Sequence, residues 1–328
     1  MIGAPHRILD TAFVTLSSPG SVGLSFLGLE ITVVVCGVLA LLHALGERRR
    51  GDGVPLFIWT ASFTYGIVME LLSYNFLTSF VHGQFTVMFY HHQLPLYVVT
   101  LYPVFQYTSI MTARRLRTGL VPRMLLAGLF IVAMDFPFDI LGPTQGWWVW
   151  SASDPNMAFR WHDVPVTSYY WHLAWGGLLA GITGVLSRYG GDVQRPWRAV
   201  VLAMPIALLT IFLGVLSFLP FHLLKYLGVP DGTIVAGLFA VALAVTFLSR
   251  RAAPAPSPRD VRLLTIPALY YAYHLLAALA ELARSGQPFA GRMAVIAAVT
   301  ALALLAHGLA HRAAAPAPLS PEDRVPAE

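Results

Sequence analysis

Asp135 and Asp139 stand four residues apart in the segment Asp135-Phe-Pro-Phe-Asp139, inside an otherwise apolar stretch. At that spacing two carboxylates lie on one face of a helix, about 6 Å apart. Carboxylates that close in a low-dielectric site resist ionising together, which favours one of them keeping its proton. A carboxylic acid that is protonated near neutral pH can serve as a general acid. Pro137, between them, removes a backbone donor and predicts a bend at the site. The plainer reading makes Asp139 an ordinary solvated helix-end residue. Glu70, His172 and His274 also fall inside apolar runs. Ionisable groups in such positions are rare and costly, and they default to functional candidates.

Around these groups the sequence supplies a possible lining. Trp147, Trp148 and Trp150 fit an interfacial aromatic belt, or faces that stabilise a cation. Ser168, Trp171, His172 and Trp175 recur at three- and four-residue spacings on one helix face, with Tyr169 beside them. The intervening segments add His82, Gln84, His91, His92, Gln93, Asp154, Arg160, His162, Asp163 and His222. Together they predict one polar cavity. Asp135, Asp139, Glu70 and His172 are its expected catalytic groups. Trp148, Trp150, Gln93, His92, Arg160, Ser168, Tyr169 and His274 are its expected substrate contacts.

The histidines do not spell a metal site. His91 and His92 are adjacent, and neighbours on a regular backbone point apart. His307 and His311 have ligand spacing but only His43 as a plausible third. A set drawn from His82, His172, His222 and His274 with Asp135 rests on no spacing signature. The sequence therefore assigns no metal and no cofactor, and it carries no phosphate loop or dinucleotide fingerprint.

The elements that must position these residues follow from composition. Of 328 residues, 57% are hydrophobic and 11% charged, against about a quarter charged in soluble domains. That excludes a disordered chain, a disulfide scaffold and a nucleic-acid-binding module. The lone Cys36 forms no internal disulfide. Apolar runs at 22–44, 55–77, 95–113, 121–141, 165–187, 198–219, 230–249, 262–282 and 291–310 are each long enough for a membrane helix of roughly 20 residues. The expected fold is an all-α integral membrane bundle of about nine transmembrane helices, with eight as the alternative count.

Alternate connections, together with the C-terminal tail, carry 16 of the 21 Lys and Arg residues. The asymmetry predicts the N-terminus outside, the C-terminus cytoplasmic and the cavity near the extracytoplasmic side. Residues 1–311 are expected to form one transmembrane domain, and 312–328 a disordered cytoplasmic tail. No cleavable signal peptide is read at the N-terminus.

The stretch from Tyr90-His91-His92-Gln93 through Asp135-Phe-Pro-Phe-Asp139, Trp147-Trp148-Val-Trp150, Asp154-Pro-Asn and Val164-Pro-Val-Thr-Ser168 resembles a family of polytopic membrane proteins of unknown function from bacteria and animals. More distantly, the order of features resembles carotenoid hydratases of the bisanhydrobacterioruberin hydratase type. That resemblance carries over Glu70, Asp135, Asp139, Trp148, Trp150, Pro165 and Ser168. Tyr169 stands where those hydratases place an asparagine, and the His-His-Gln segment has no hydratase counterpart.

The resemblance implies a hydro-lyase of the cell membrane acting on an isoprenoid or carotenoid-like lipid. Asp135, assisted by Asp139 or Glu70, would protonate a carbon–carbon double bond. A water held by His172 or Ser168 would then add, or the cation would cyclise. The alternatives are a non-catalytic lipid or small-molecule binder or transporter, and a zinc hydrolase like the alkaline ceramidases. No protein partner and no nucleic acid is implied.

Overall fold

Every apolar run of the sequence coincides with helix. The computed structural model describes residues 12–77, 79–116, 118–189, 193, 195–249 and 260–311, and it is 78% helical. The helices are α1 (Leu24–Arg49), α2 (Val54–Leu72), α3 (Leu96–Tyr102), α4 (Thr108–Arg114), α5 (Leu120–Gln145), α6 (Val166–Tyr189), α7 (Pro196–Tyr226), α8 (Asp231–Leu248), α9 (Val261–Ser285) and α10 (Gln287–Ala310). Among the described residues seven are long and apolar enough to cross a membrane: α1, α2 with its π-helical end, α5, α7, α8, α9 and α10. They mark a multi-pass membrane protein.

The other two expected spans differ for physical reasons. A π-helical segment, Pro103–Tyr107, divides the third into α3 and α4, as π turns often do near functional sites. The other, α6, has 24 residues, but it opens on Val-Thr-Ser-Tyr-Tyr-Trp-His, which lowers its hydropathy. Helix α7 runs 31 residues, through Pro220, so the loop expected at 220–229 is mostly helix. The tail at 312–328 lies outside the described residues.

Helix α5 is the axis of the bundle. Its span is 67% buried, against 28% for α8 and for α10. It packs along α6, while α2 packs along α7 and α9 lies between α1 and α10. Buried residues on all sides explain why Asp135 and Asp139 cannot reach solvent: each is 2% exposed or less.

Short strands, not expected from the sequence, close one end of the bundle. β1 (Val14–Leu16), β3 (Val87–Phe89) and β4 (Leu94–Pro95) form one sheet, with β3 in the middle. β2 (Phe80–His82) pairs antiparallel with β5 (Trp148–Trp150), and β6 (Arg160–Trp161) pairs with β7 (Val164–Pro165). In the β2–β5 pair Phe80 faces Trp150 and His82 faces Trp148. Strand side chains alternate between faces. The four aromatic and histidine rings therefore point into the bundle, while Val81 and Val149 are exposed.

Between β3 and β4, Tyr90, His91 and His92 all have positive φ, at 50°, 54° and 61°. Non-glycine residues visit that region at a cost of roughly 1–2 kcal/mol each. The turn is held by the Gln93 amide, which donates to the carbonyls of Phe89 and Tyr90.

Candidate functional site

Beneath the β2–β5 pair the helices enclose a cavity of about 110 Å³. One wall comes from α5 and α6, which contribute Asp135, Phe138, Asp139, Trp171, His172 and Trp175. The opposite wall comes from α2, α3 and the π segment, with Tyr65, Glu70, Tyr102, Phe105 and Gln106. Phe80, His82, Trp148 and Trp150 form the roof. Among the described residues, no lysine or arginine lines the cavity.

On the α5–α6 wall, the i, i+4 spacing of the aspartates and of Ser168 and His172 brings four polar groups together. Ser168 Oγ donates to Asp139 Oδ2 at 2.5 Å. His172 Nδ1 lies 2.9 Å from the Ser168 carbonyl, one turn back. A carbonyl only accepts, so in the neutral ring Nδ1 carries the proton and Nε2 keeps its lone pair. Asp135 Oδ2 lies 3.2 Å from the same Nδ1, without hydrogen-bond geometry. Asp135, Asp139 and His172 each offer a ligand atom, and these atoms all lie within 4.8 Å of one another.

Across the cavity, the Tyr102 hydroxyl donates to Glu70 Oε1 at 2.6 Å. Gly66, one turn before Glu70, makes this possible: a Cβ there would overlap the Tyr102 ring. Glu70 Oε2 and His82 Nε2 are 3.8 Å apart, too far to bond. His82 is anchored through Nδ1 to the Tyr97 hydroxyl at 3.0 Å. On the roof, Gly142 of α5 lets Trp148 lie flat on the helix, since a Cβ would strike its ring.

Several polar atoms of this cavity are buried without a hydrogen-bond partner: both oxygens of Asp135, Glu70 Oε2, His82 Nε2, Gln106 Oε1 and the indole nitrogens of Trp148 and Trp150. Buried polar groups in proteins are nearly always paired, so such a concentration asks for an explanation.

Of the residues singled out from the sequence, Glu70, Asp135, Asp139, His172, Trp148 and Trp150 line the cavity. Ser168 stands behind it, bonded to Asp139. Tyr169 faces away and stacks on Phe136 and Trp161. His274 packs against Phe138, and its Nδ1 is bonded to the Tyr270 carbonyl at 2.8 Å. His92 meets Thr15 at 3.2 Å in the outer turn, beside an exposed Gln93. Arg160 donates to the Met157 carbonyl at 2.9 Å. Neither His92, Gln93 nor Arg160 reaches the lining.

Tyr65, Tyr102 and Gln106 line the cavity but were not singled out from the sequence. Gln106 had a signal, a polar residue inside an apolar run. The tyrosines had none, because a buried tyrosine in a membrane helix is unremarkable until its hydroxyl partner is known.

Residues 22–266 match the model of a domain of unknown function, DUF7802. The chain belongs to that family. The DUF7802 match runs from the start of α1 into α9, so both walls and the roof of the cavity fall inside it, while α10 does not. No curated protein and no solved structure matches the chain. The comparisons show no relation to the carotenoid hydratases.

Proposed function

We propose that this DUF7802 protein is an intramembrane enzyme that adds water across a carbon–carbon double bond of an isoprenoid-like lipid. The observation that carries the proposal is a set of three carboxylates, Glu70, Asp135 and Asp139, buried in a cavity rich in aromatic side chains, with no lysine or arginine among the described residues that line it. Buried, uncompensated acids in a cavity are what proton-transfer chemistry requires and what a structural core avoids.

The two walls divide the work. Glu70, held by Tyr102 through one oxygen with the other unpartnered, gives a proton to one carbon of the double bond. The faces of Trp148, Trp150, Trp171 and Tyr65 stabilise the cation that forms on the other carbon. Water at the Asp135–Asp139–His172 wall adds to that carbon, and its extra proton restores Glu70. The sum is one alkene plus one water giving a tertiary alcohol. In this reading Glu70 is the acid and Asp135 holds the water.

For the frame of this chemistry, we read nine spans in the cell membrane, with the N-terminus outside, the C-terminus cytoplasmic and the cavity toward the extracytoplasmic face. Support comes from helix at each of the nine apolar runs and from the uneven distribution of arginine.

The test is mass spectrometry of lipid extracts from cells with the protein, without it, and with Glu70→Gln or Asp135→Asn. A lipid heavier by one water, present only with the intact chain, is the expected result. Identical extracts from cells that demonstrably contain the folded protein would overturn the proposal.

A further inference from the structure

We infer that Asp135, Asp139 and His172 hold a divalent metal ion. Their ligand atoms lie within 4.8 Å of one another, so side-chain rotations, with a shift of the His172 ring, would close them on an ion at the usual distances of about 2.0–2.2 Å. Two carboxylate oxygens and one imidazole suit zinc, manganese or iron(II).

A second, independent observation points to a ligand. Asp135 is 1% exposed and Glu70 5%. Both oxygens of the first and Oε2 of the second lack hydrogen-bond partners, as does Oε1 of the buried Gln106, and all three residues line the same space. Three carboxylates, with no lysine or arginine among the described residues that line the cavity, attract a cation.

The surrounding bonds also match a ligand set. Metal-binding histidines usually donate their other ring N–H to a carbonyl or carboxylate, which fixes the tautomer. His172 makes such a bond through Nδ1 to the Ser168 carbonyl, which leaves Nε2 to ligate; the nitrogen beside Asp135 here is Nδ1, 3.2 Å from Oδ2, so the ring must shift to bring Nε2 onto the ion. Ser168 Oγ orients Asp139 in the same way.

The inference rests on the hydration reading, because the ion would supply its water. A metal-bound water loses a proton more readily. Glu70 protonates the alkene, the bound hydroxide closes on the cation, and the next water to bind returns its proton to Glu70.

The experiment is metal analysis of the purified full-length protein, with any affinity tag removed, after incubation with Zn²⁺ or Mn²⁺ and dialysis. One metal per chain is expected in the wild type, with loss in Asp139→Asn and His172→Ala. Ser168→Ala keeps all three ligands and acts as a positioning change, so metal affinity should fall roughly 10- to 100-fold. Should the ligand variants fail to fold, chelation of the wild type should lower its melting temperature and metal addition should restore it.

A folded wild type that retains no metal overturns the inference, as does metal that persists undiminished in both ligand variants. The readout is independent of substrate. Metal without a hydrated lipid would sink the hydration reading alone, and a hydrated lipid made by metal-free protein would sink the metal alone.

Discussion

Among the described residues, two clusters of a histidine with two carboxylates sit in this bundle, and they are built from the same parts to opposite ends. In the first, at the arginine-bearing end of α1, buried His43 accepts from the Tyr107 hydroxyl at Nδ1 and donates to Asp260 Oδ2 at 2.7 Å from Nε2. Asp260 spends its other oxygen capping α9, accepting from the Leu263 amide at 3.0 Å. Glu47, close enough to complete a trio of possible ligands, is instead paired with Arg50. Each ring nitrogen and each Asp260 oxygen has its own partner.

In the second cluster, His172, Asp135 and Asp139 face a cavity, and among the described residues neither Asp135 oxygen has a partner in hydrogen-bond geometry, its nearest polar neighbour being His172 Nδ1 at 3.2 Å. Satisfied polar groups hold helices together. Unsatisfied ones, kept buried by the surrounding packing, are the groups left to do chemistry. Two other buried carboxylates side with the first cluster: Glu30 accepts from the backbone and side chain around Thr86, and Glu281 is bonded by Gln145 and Arg284.

That contrast can be broken most decisively by activity. Glu70→Gln or Asp135→Asn should reduce formation of the hydrated lipid by about 10² or more, the scale of a lost general acid or base. His43→Gln should leave it intact in protein that folds. Equal losses from both clusters, measured per folded molecule, would erase the distinction.

Stability should show the reverse order. His43→Ala strands the Tyr107 hydroxyl and Asp260, costing about 1–3 kcal/mol. Asp135→Asn removes a buried carboxyl whose nearest polar contact is His172 Nδ1 at 3.2 Å, outside hydrogen-bond geometry, and its melting temperature in detergent should stay close to or above that of the wild type. A large fall for Asp135→Asn would mean that the cavity cluster is also structural.

Asp260 gives the first cluster a pH signature. Burial works against its charge, but the His43 imidazole and the Leu263 amide outweigh burial and hold the carboxyl down to about 2. A carboxyl depressed from its unfolded value near 3.8 stabilises the fold above about pH 4, and the gain fades as pH falls toward 2. Asp260→Asn should therefore cost roughly 2 kcal/mol at neutral pH. Its deficit against the wild type should close between about pH 4 and pH 2 in thermal unfolding. A deficit that is the same at both ends of that range would show that the charge does not matter there.

The smallest expected effect sharpens the cavity side. Gly142→Ala should displace Trp148 from the roof at a cost of about 1 kcal/mol, the low end for overpacking. Tryptophan fluorescence should shift with it. An unmoved emission maximum would show that Trp148 does not depend on this glycine.

Much of the site could be read from the chain because the cost of burying charge is a local property. Glu70, Asp135, Asp139 and His172 interrupt apolar runs, and all four line the same cavity. His92 and Gln93, in a turn, and Arg160, in the short strand β6, looked similar in the sequence but lie outside it. A polar residue in a connecting segment carries no penalty that would mark it. The paired strands were not legible for a related reason: runs of two or three residues show no alternation long enough to detect.

The sequence alone determined that the chain is a helical membrane protein, where its helices run, and that two aspartates share a helix face. Those are consequences of hydrophobic length and of the 3.6-residue turn, which need only near neighbours. Only the tertiary structure decided which polar groups meet. Tyr102 finds Glu70 32 positions away, Ser168 finds Asp139 29 positions away, and His43 finds Asp260 217 positions away. Whether a buried histidine is saturated or left open depends on helices packed from distant parts of the chain, and no local pattern encodes that.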